Sequence, residues 1–397
     1  MSSSRSRMLV RTRSTISGEA VEKGWLWSVQ PLVISAKCLG INLSNGNRQS
    51  TCWWFITVLV LLFFIITQFL CLKFIINNYK EISQTFIFEI NNNSDTFAWN
   101  TVMDFVNFAV HSLGIHIMFV FAFRSRWCLL VEAFQNLESF SDFNFFNKIR
   151  KASILGVFWI IILQTTVLIT NIHHHAKYGS SLTILFCSLL SVYSQIYLVT
   201  AIILFAVSSY ASSMAYLSIR LNLNHIKNKT TDGNYYNCLL SLKRRHVIVC
   251  ETVDHINNCF GYFLGVTLSF HFVAIVTASF YLFGNEKEPA TILEIGFATT
   301  QICNLSLICY PADLIRNKAD SVSRKLIRMQ LEMEEPLKSV VNEFVAQTNQ
   351  FSPQINAVGF YPISKKIIPQ IVGTTLTYFF ILYQFQSSEK NEAIKNV

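Results

Sequence analysis

The sequence has few charged residues, and this shortage restricts the class of protein. Only 14% of the 397 residues are charged, whereas 52% are hydrophobic and 34 are phenylalanine. A soluble chain of this length needs a charged surface, so the composition is typical of a protein embedded in a bilayer. The first 24 residues contain arginines but no apolar core, so they lack the pattern of a cleaved signal peptide. We expect the first membrane helix to direct insertion.

The residue patterns of catalytic, metal and nucleic-acid sites are also missing. Ten cysteines are present, but none has zinc-ligand spacing, and we expect no disulfide framework. We interpret the three histidines at 173–175 as a solvated outer loop, because no further ligands accompany them. Orientation and lipid contact explain the basic run at 243–245 without a nucleic-acid partner. With neither a phosphate loop nor a nucleophile beside its base, we expect no enzyme, no cofactor and no metal.

Apolar runs fill most of the chain, and seven of them reach or approach the ~20 residues that a membrane-spanning helix needs. Prolines lie at the ends of the last two runs. Pro289 precedes the sixth run and Pro311 ends it, and Pro369 lies in the first turn of the seventh, where a missing N–H does no harm. The sequence therefore predicts an all-α protein with seven transmembrane helices. The predicted spans are Cys52–Ile76, Thr96–Phe123, Ala152–Thr170, Leu182–Val207, Phe260–Phe283, Ala290–Tyr310 and Ile367–Phe385.

Lysine and arginine are distributed unevenly between the two sides of these spans. Of 32 such residues, 26 lie in the N-terminal tail and in the connections after the second, fourth and sixth spans, whereas five lie on the other side and Lys73 lies within the first span. Because cytoplasmic segments carry the excess of positive charge, we predict a cytoplasmic N-terminus and an extracellular C-terminus. This topology is inverted relative to a G-protein-coupled receptor. It places the sequon that begins at Asn92 outside, where it can be glycosylated.

The long inner connections mix apolar residues at three and four spacing with charged residues, which indicates amphipathic helices. We interpret them as extensions of the membrane helices that pack into a cytoplasmic layer; the alternative is a solvated, loosely helical linker. The predicted organisation is a cytoplasmic N-terminal segment (1–51), a six-helix ligand-binding bundle (52–310) with an inner extension (208–259), a cytoplasmic anchor segment (311–366), a pore-lining seventh helix (367–385) and an extracellular tail (386–397).

The last span carries polar residues on one face. Gln370, Thr374, Thr377, Ile381 and Gln384 recur at spacings of four, three, four and three, so they form one stripe along a helix. A helix that faces only lipid does not need such a stripe. Two interpretations remain open, because small and polar side chains also join neighbouring membrane helices. Either the stripe packs against another helix, or it lines water.

The end of this span contains a recognisable motif. Residues 377–385 read TYFFILYQF, a Thr-Tyr pair followed by five mostly apolar residues and a Gln-Phe pair near the C-terminus. This motif resembles the signature of the insect gustatory receptors. Seven helices, an internal N-terminus and a long inner connection before the last helix are similar to that family too, so the resemblance covers most of the chain.

The resemblance implies a ligand-gated cation channel in which four subunits surround one pore lined by their seventh helices. By analogy, Gln384 would line the narrow outer part of the pore, Ile381 and Phe385 would form a hydrophobic constriction, and Thr377 with Tyr378 would hold the helix against its neighbour, with Thr374 on the same stripe. A ring of apolar side chains can close a pore by dewetting. Phe385 lies about 100° from the adjacent stripe residue Gln384 on an ideal helix and is not part of the stripe's spacing, so its role comes from the resemblance alone.

A ligand pocket is expected in the outer half of the bundle, where polar side chains within apolar runs need partners or water. Each candidate can instead be a polar residue satisfied by a neighbouring helix. Asp104 is the strongest, because a carboxylate within a membrane is costly, and His111 or a cationic ligand is a suitable partner. The candidates are Asp104, Asn107, His111, Gln164, Thr165, Thr166, Tyr193, Gln195, His271, Thr299, Thr300 and Gln301.

The ligand class is less constrained by the sequence. Many sugar-sensing members of the resembled family carry glutamate just after the Thr-Tyr pair, where this chain has Phe379. We therefore expect a bitter or plant-derived compound rather than a sugar, although fructose-type sensing remains open. The expected setting is the plasma membrane of sensory neurons, as a homotetramer or with related subunits. The alternatives are a secondary transporter and a seven-helix receptor that signals through partner proteins.

Overall fold

The described residues belong mainly to long helices. The computed structural model describes residues 24–39, 41, 43, 51–77, 110–119, 123–138, 143–178, 182–227, 235–284, 288–333, 335 and 337–395, with side chains at most of these positions. The predicted sites at Asn92, Asp104 and Asn107 lie outside this part of the chain. In chain order the elements are α1 (Trp25–Cys38), α2 (Thr51–Asn77), α3 (110–118), α4 (Arg124–Glu138), α5 (Phe143–Tyr178), α6 (Leu182–Lys227), α7 (Tyr235–Gly284), α8 (Glu288–Glu332), α9 (Leu337–Gln350), β1 (Asn356–Ala357), β2 (Tyr361–Pro362) and α10 (Ile367–Lys395).

All seven predicted spans coincide with helix wherever the structure describes them. Two stretches among the described residues, Val192–Ile226 and Tyr235–Ser279, are long and apolar enough to cross a membrane, and Val58–Leu70 and Ile367–Ile381 are shorter apolar helices. The outer faces of α2 and α5 expose large apolar side chains, among them Phe69 at 66% and Leu155 at 69%. Contiguous exposed apolar surface is unstable in water. These faces are therefore suited to contact lipid.

Several helices are longer than the apolar runs that predicted them. At 1.5 Å per residue, the 50 residues of α7 span about 75 Å, well beyond the ~45 Å of a whole bilayer. Helix α5 extends to Tyr178, so the histidines at 173–175 lie in a helix and the prediction that they form a loop is wrong. Helix α8 continues through Pro311, although proline removes a backbone hydrogen bond there. Ile308, Ala312 and Ile315 are buried on both sides of it, and this packing stabilises the helix.

Helix α1 is an element that the sequence analysis does not predict. It packs on α4, α5 and α6, and Trp25 is fully buried with its ring stacked on Phe134 at 3.7 Å. The backbone N–H of Trp25 donates to the carboxylate of Glu138, which satisfies one of the free donors at a helix start. Arg150 lies over the Trp27 ring at 4.0 Å and donates to its carbonyl oxygen at 3.0 Å. Helix α1 is therefore part of the core.

The helix segments beyond the predicted spans, residues 208–227, 235–259, 311–332 and α9, pack together at one end of the molecule, and we call them the distal layer. Tyr216, Val249, Val322 and Phe344 are buried there, one from each segment. Lys243 on α7 forms an ion pair of 2.7 Å with Glu343 on α9. These segments are therefore packed helices, as the amphipathic pattern predicts, and not solvated linkers.

A histidine lies at the centre of the distal layer. His246 on α7 packs edge-on against the Tyr216 and Phe344 rings, and its Nδ1 accepts a hydrogen bond of 3.2 Å from Gln347 Nε2. Burial lowers the pKa of His246 from 6.5 to about 4, because the charged imidazolium loses its hydration. Burial also raises the pKa of the neighbouring Cys250 thiol to about 11. His246 is therefore neutral at physiological pH.

Acid is expected to destabilise the distal layer through His246. The folded pKa lies below the unfolded value, so the unfolded chain binds more protons between pH 6.5 and about 4, and stability falls as the pH drops through that window. Between pH 7.5 and pH 5 the loss is about 2 kcal/mol. Thermal unfolding of the purified protein in detergent at the two pH values measures it. His246→Gln should show a smaller difference between them, and His255→Gln, a half-buried control on the same helix, should behave as the unmodified chain. Equal acid sensitivity in all three would contradict the assignment to His246.

A short hairpin, β1 and β2, connects α9 to α10 and is the main departure from the predicted all-helical anchor segment. Its strands pair antiparallel with Asn356 opposite Pro362 and Ala357 opposite Tyr361. The turn contains Val358 at φ 55° and Gly359 at φ 78°. Positive φ is natural for glycine but strained for a β-branched residue, at a cost of about 1–3 kcal/mol.

Candidate functional site

A group of buried polar side chains lies where α3, α7 and α8 meet inside the bundle. His271 on α7 donates from Nδ1 to Oε1 of Gln301 on α8 at 2.5 Å, and both side chains are fully buried. His111 on α3 stacks on the Phe270 ring at 3.8 Å. Thr267 lies one turn before His271, and Asn304 lies one turn after Gln301, on the same helix faces. We call these five polar residues, His111, Thr267, His271, Gln301 and Asn304, the His271 cluster.

Several polar atoms of the His271 cluster have no hydrogen-bond partner within the part of the chain that the structure describes. They are Nε2 of His111, Oγ1 of Thr267, Nε2 of His271, Nε2 of Gln301 and both amide atoms of Asn304. Each unpaired buried polar group costs about 1–3 kcal/mol. Buried water or the polar atoms of a bound molecule can supply the missing partners. The cluster is therefore suited to bind a small molecule with several hydrogen-bonding groups.

Three members of the cluster, His111, His271 and Gln301, are among the predicted ligand residues, whereas Thr267 and Asn304 are not. The signal for both was available, because each lies within an apolar run at helical spacing from a named candidate. Periodicity along one helix does not report which residues of different helices meet. Only the packing of α7 against α3 and α8 brings His111, His271 and Gln301 together, with Thr267 and Asn304 one turn away on the same helix faces.

The other predicted ligand residues lie elsewhere. Gln164 is buried on α5, a helix that packs against α1 and α6, whereas Thr165 and Thr166 on the same helix are exposed. Thr300 is half-buried and donates to the Gly296 carbonyl of its own helix, and Thr299 is exposed. A cavity of about 170 Å³ in the distal layer, lined partly by His246, Asp320 and Thr348, contains none of the predicted ligand residues.

A second histidine, His116 on α3, was also missed. Its ring is sandwiched between Phe64 on α2 at 4.0 Å and Tyr197 on α6 at 3.9 Å, and its Nδ1 donates to the Ser112 carbonyl at 2.8 Å. The predicted candidate Tyr193 lies beside this stack and donates to the Leu39 carbonyl at 3.0 Å, which ties α6 to the end of α1. Gln195, also predicted, is buried on α6 with Oε1 unpaired among the described residues. The stack fills the space between three helices and joins them.

The polar stripe of α10 points away from the rest of its own chain. Gln370, Thr374, Thr377, Ile381 and Gln384 are all exposed in the single chain. Thr374 and Thr377 donate only to carbonyl oxygens of their own helix, at 2.9 and 3.1 Å.

The opposite face of α10 packs on α7 and α8, with Thr375 buried and the Tyr378 ring edge-on to Phe272 at 6.2 Å. The side chain of Phe385 lies outside the described part, although its backbone belongs to the helix. The stripe is therefore solvent-accessible in the single chain, whereas the face that carries Thr375 is buried against α7 and α8.

Comparison with known proteins identifies the family. The family model of the 7tm chemosensory receptors matches residues 29–389. The chain belongs to this family. It is therefore a membrane protein, as its composition predicts, and the match begins inside α1, which is consistent with the packing of that helix in the core.

Two receptors of insects are similar in sequence to this 7tm chemosensory receptor. Gustatory and odorant receptor 24 of Anopheles gambiae is 27% identical over 124 residues, which cover 30% of this chain and 27% of that protein. Putative gustatory receptor 28b of Drosophila melanogaster is 26% identical over 163 residues, covering 38% and 35%. The matched region thus spans about a third of each relative.

Two solved structures share the fold. The insect olfactory receptor OR5 from Machilis hrabei in complex with eugenol superposes with a TM-score of 0.62 at 12% identity, covering 90% of this chain and 98% of that one. A second structure of OR5 from Machilis hrabei has a TM-score of 0.61 at 13% identity. It covers 90% of this chain and 97% of that one. The receptor therefore has the fold of OR5 over nearly its whole length.

Proposed function

We propose that this chemosensory receptor is a ligand-gated, non-selective cation channel in which four α10 helices surround one pore. The observation that carries the proposal is the exposure of the polar stripe of α10 on the side away from its own subunit. The stripe carries two amides, two hydroxyls and one apolar side chain. Such a face is poorly suited to lipid, but it is suited to a water-filled path closed at Ile381. The family membership and the shared fold agree with a receptor of this kind.

The ligand of this channel binds at the His271 cluster. Its unpaired donors and acceptors favour a compound with several hydrogen-bonding groups, and the Phe270 ring favours an apolar or aromatic portion. A bitter or plant-derived compound is preferred to a sugar, because this chain has Phe379 where many sugar-sensing members of the resembled family carry glutamate. The complex of OR5 with eugenol is a precedent for a small molecule in this fold. Taste rather than smell is the sense that the TYFFILYQF motif favours.

In the proposed orientation the N-terminus and the distal layer are cytoplasmic and the C-terminus is extracellular. The proposal also retains Asn92 as a glycosylation site and places the receptor in the plasma membrane of sensory neurons. An epitope tag at the C-terminus should bind antibody on intact cells, because positive charge is concentrated on the other side. A tag that becomes accessible only after permeabilisation would contradict this orientation.

Current recording from cells that express only this chain tests the channel directly. Cells challenged with a panel of fructose, sucrose, caffeine and quinine should give cation currents that untransfected cells lack. A secondary transporter would instead accumulate labelled compound without large currents, and its usual internal repeats and broken helices are not evident in this sequence. Currents that appear only when a related receptor is expressed as well would replace the homotetramer with a mixed assembly.

Gln384 should control permeation in this channel. Gln384→Leu removes an amide from the narrow outer part of the pore, so single-channel conductance is expected to fall by roughly twofold or more because hydration there becomes less favourable. Conductance and the sodium-to-potassium permeability ratio measure the effect, and surface biotinylation checks expression. Gln350→Leu, at an exposed glutamine of α9, is the matched control and should leave both unchanged. Unaltered permeation in the Gln384 variant would remove this residue from the pore.

A further inference from the structure

The hairpin between α9 and α10 is the only covalent link from the distal layer to the proposed pore helix. Ile355, Ala357 and Ile363 of this segment are buried, and Ile363 N–H donates to the Ile355 carbonyl at 2.7 Å. The hairpin is thus a folded element of its own rather than a slack connection. Any displacement of α10 relative to the distal layer must move or deform it.

One side chain of α7 fixes the backbone of the hairpin at two points. Asn257 donates from Nδ2 to the Gln354 carbonyl at 2.7 Å, and its Oδ1 accepts from the Asn356 N–H at 2.9 Å. A single amide therefore pairs with a donor and an acceptor two residues apart, which fixes both the position and the register of β1. No other residue type of this size offers both groups in this geometry.

Two glycines extend this contact along the same face of α7. A Cβ atom added at Gly261 would lie 3.4 Å from the Asn356 carbonyl oxygen, and one added at Gly265 would lie 3.2 Å from Cγ2 of Val358 and 3.9 Å from Cβ of Ala357. At Gly265 the hairpin thus lies closer to α7 than most side chains allow, whereas a Cβ at Gly261 would make an ordinary van der Waals contact. We call Asn257, Gly261 and Gly265 the α7 clamp.

The other end of the segment is attached to α8. Lys365, just before α10, lies 3.6 Å from the Asp313 carboxylate, which also accepts a hydrogen bond of 2.7 Å from Asn317. The hairpin is therefore held between α7 and α8. The same two helices are joined within the bundle by the hydrogen bond between His271 and Gln301. Gly265 precedes His271 by six residues, about 9 Å along the helix.

Val358 adds an independent sign that this contact is under constraint. It is a β-branched residue at φ 55°, a conformation that such residues avoid, and its side chain is the part of the hairpin nearest Gly265. Strained backbone of this kind persists only where surrounding contacts hold it in place, and it is concentrated at switch regions. Here the surroundings are the α7 clamp.

We propose that the α7 clamp holds α10 in the closed resting position and releases it when a ligand in the His271 cluster moves α7 relative to α8. Asn257, Gly261 and Gly265 are positioning residues that act on the pore through the hairpin and do not touch the ligand or the permeating ion. This inference rests on the proposed channel function, and it adds the route between the ligand site and the pore.

Ligand-free current tests the clamp without knowledge of the ligand. Asn257→Ala removes both hydrogen bonds to the hairpin, so α10 loses its fixed resting position and ligand-free cation current per surface receptor should rise at least threefold. Asn258→Ala is the matched control, because it replaces the same residue type at the next, exposed position. Equal currents in the two variants at equal surface expression would overturn the proposal.

A reversible cross-link separates the clamp from a general loss of stability. The Cβ positions of residues 265 and 357 lie 3.9 Å apart, within the 3.5–4.5 Å of disulfides. In the Asn257→Ala background, the added pair Gly265→Cys and Ala357→Cys should let an oxidant return the current to the unmodified level and dithiothreitol raise it again. Either cysteine substitution alone should not respond, and mass spectrometry confirms the bond.

The outcomes of these experiments separate failure of the clamp, of the contact between α7 and the hairpin, and of the channel function. A disulfide that forms without lowering the current would overturn the clamp while leaving the channel intact. Failure of the disulfide to form under oxidation would overturn the contact between α7 and the hairpin. Absence of cation current in every variant, including Ile381→Ala and the unmodified chain with the tastant panel, would overturn the proposed channel, and the clamp with it.

Discussion

Replacing Asn304 with leucine is expected to make the receptor more stable and much less sensitive to its ligand. Both amide atoms of Asn304 are buried without a partner among the described residues, so an apolar side chain of similar size removes an unfavourable term from the folded state. If the ligand supplies the missing partners, the same change removes up to two hydrogen bonds from the complex. At about 1.4 kcal/mol for each tenfold change, the half-activating concentration should rise roughly tenfold or more.

The opposite signs of these two effects distinguish a ligand site from a packing site. Dose–response curves for whichever of fructose, sucrose, caffeine and quinine evokes the largest current measure sensitivity, and thermal unfolding in detergent measures stability. Gln301→Leu should also reduce sensitivity, but with lower stability, because it leaves the His271 Nδ1–H unpaired. Thr300→Val is the neighbouring control, since its hydroxyl bonds only within its own helix. An unchanged curve for Asn304→Leu would remove this residue from the ligand site.

Replacing Ile381 with alanine is expected to open the pore without any ligand. Four copies of Ile381 would form the apolar ring that expels water from the closed pore, and shortening each side chain widens the ring and makes wetting easier. Ligand-free current per surface receptor should rise roughly fivefold or more, as an order-of-magnitude expectation. Whole-cell recording with surface biotinylation measures this increase.

Leu376→Ala is the matched control for the gate. Leu376 is an aliphatic residue of α10 with a similar exposure in the single chain, 49% against 42% for Ile381. On an ideal helix it lies about 140° away from Ile381, so it faces lipid or a neighbouring subunit and not the pore axis. A rise of equal size in both variants would indicate general loosening of α10. A normally closed Ile381 variant would place the gate elsewhere on this helix.

The long helices were accessible from sequence because their signals are local. An apolar run, its length and the basic residues that flank it depend only on neighbouring positions. The bilayer stabilises such a helix in the same way wherever it occurs in the chain. The stripe of α10 was visible for the same reason. The continuation of α8 through Pro311 could not be predicted in this way. Burial of Ile308 and Ala312 outweighs the local cost of a proline in a helix.

Contacts between distant segments account for the features that were missed. Helix α1 carries arginine-rich neighbours and a proline, and its place in the core depends on Phe134 and Glu138, more than a hundred residues away. The hairpin has no alternating pattern of its own, and it forms where Asn257 supplies the hydrogen bonds that its backbone lacks. His111, His271 and Gln301 were predicted individually as ligand residues, but their grouping in the fold was not predicted.

By itself the sequence determined that this chain is a multi-helix membrane protein whose last helix carries a polar face, because composition and periodicity express how each segment meets lipid or water. The tertiary structure decided which polar residues share one buried site, which face of α10 its own subunit leaves exposed, and where the hairpin is attached. These depend on the relative rotation and depth of helices that lie far apart in the chain. That rotation is set by the packing of many side chains at once, and no single segment encodes it.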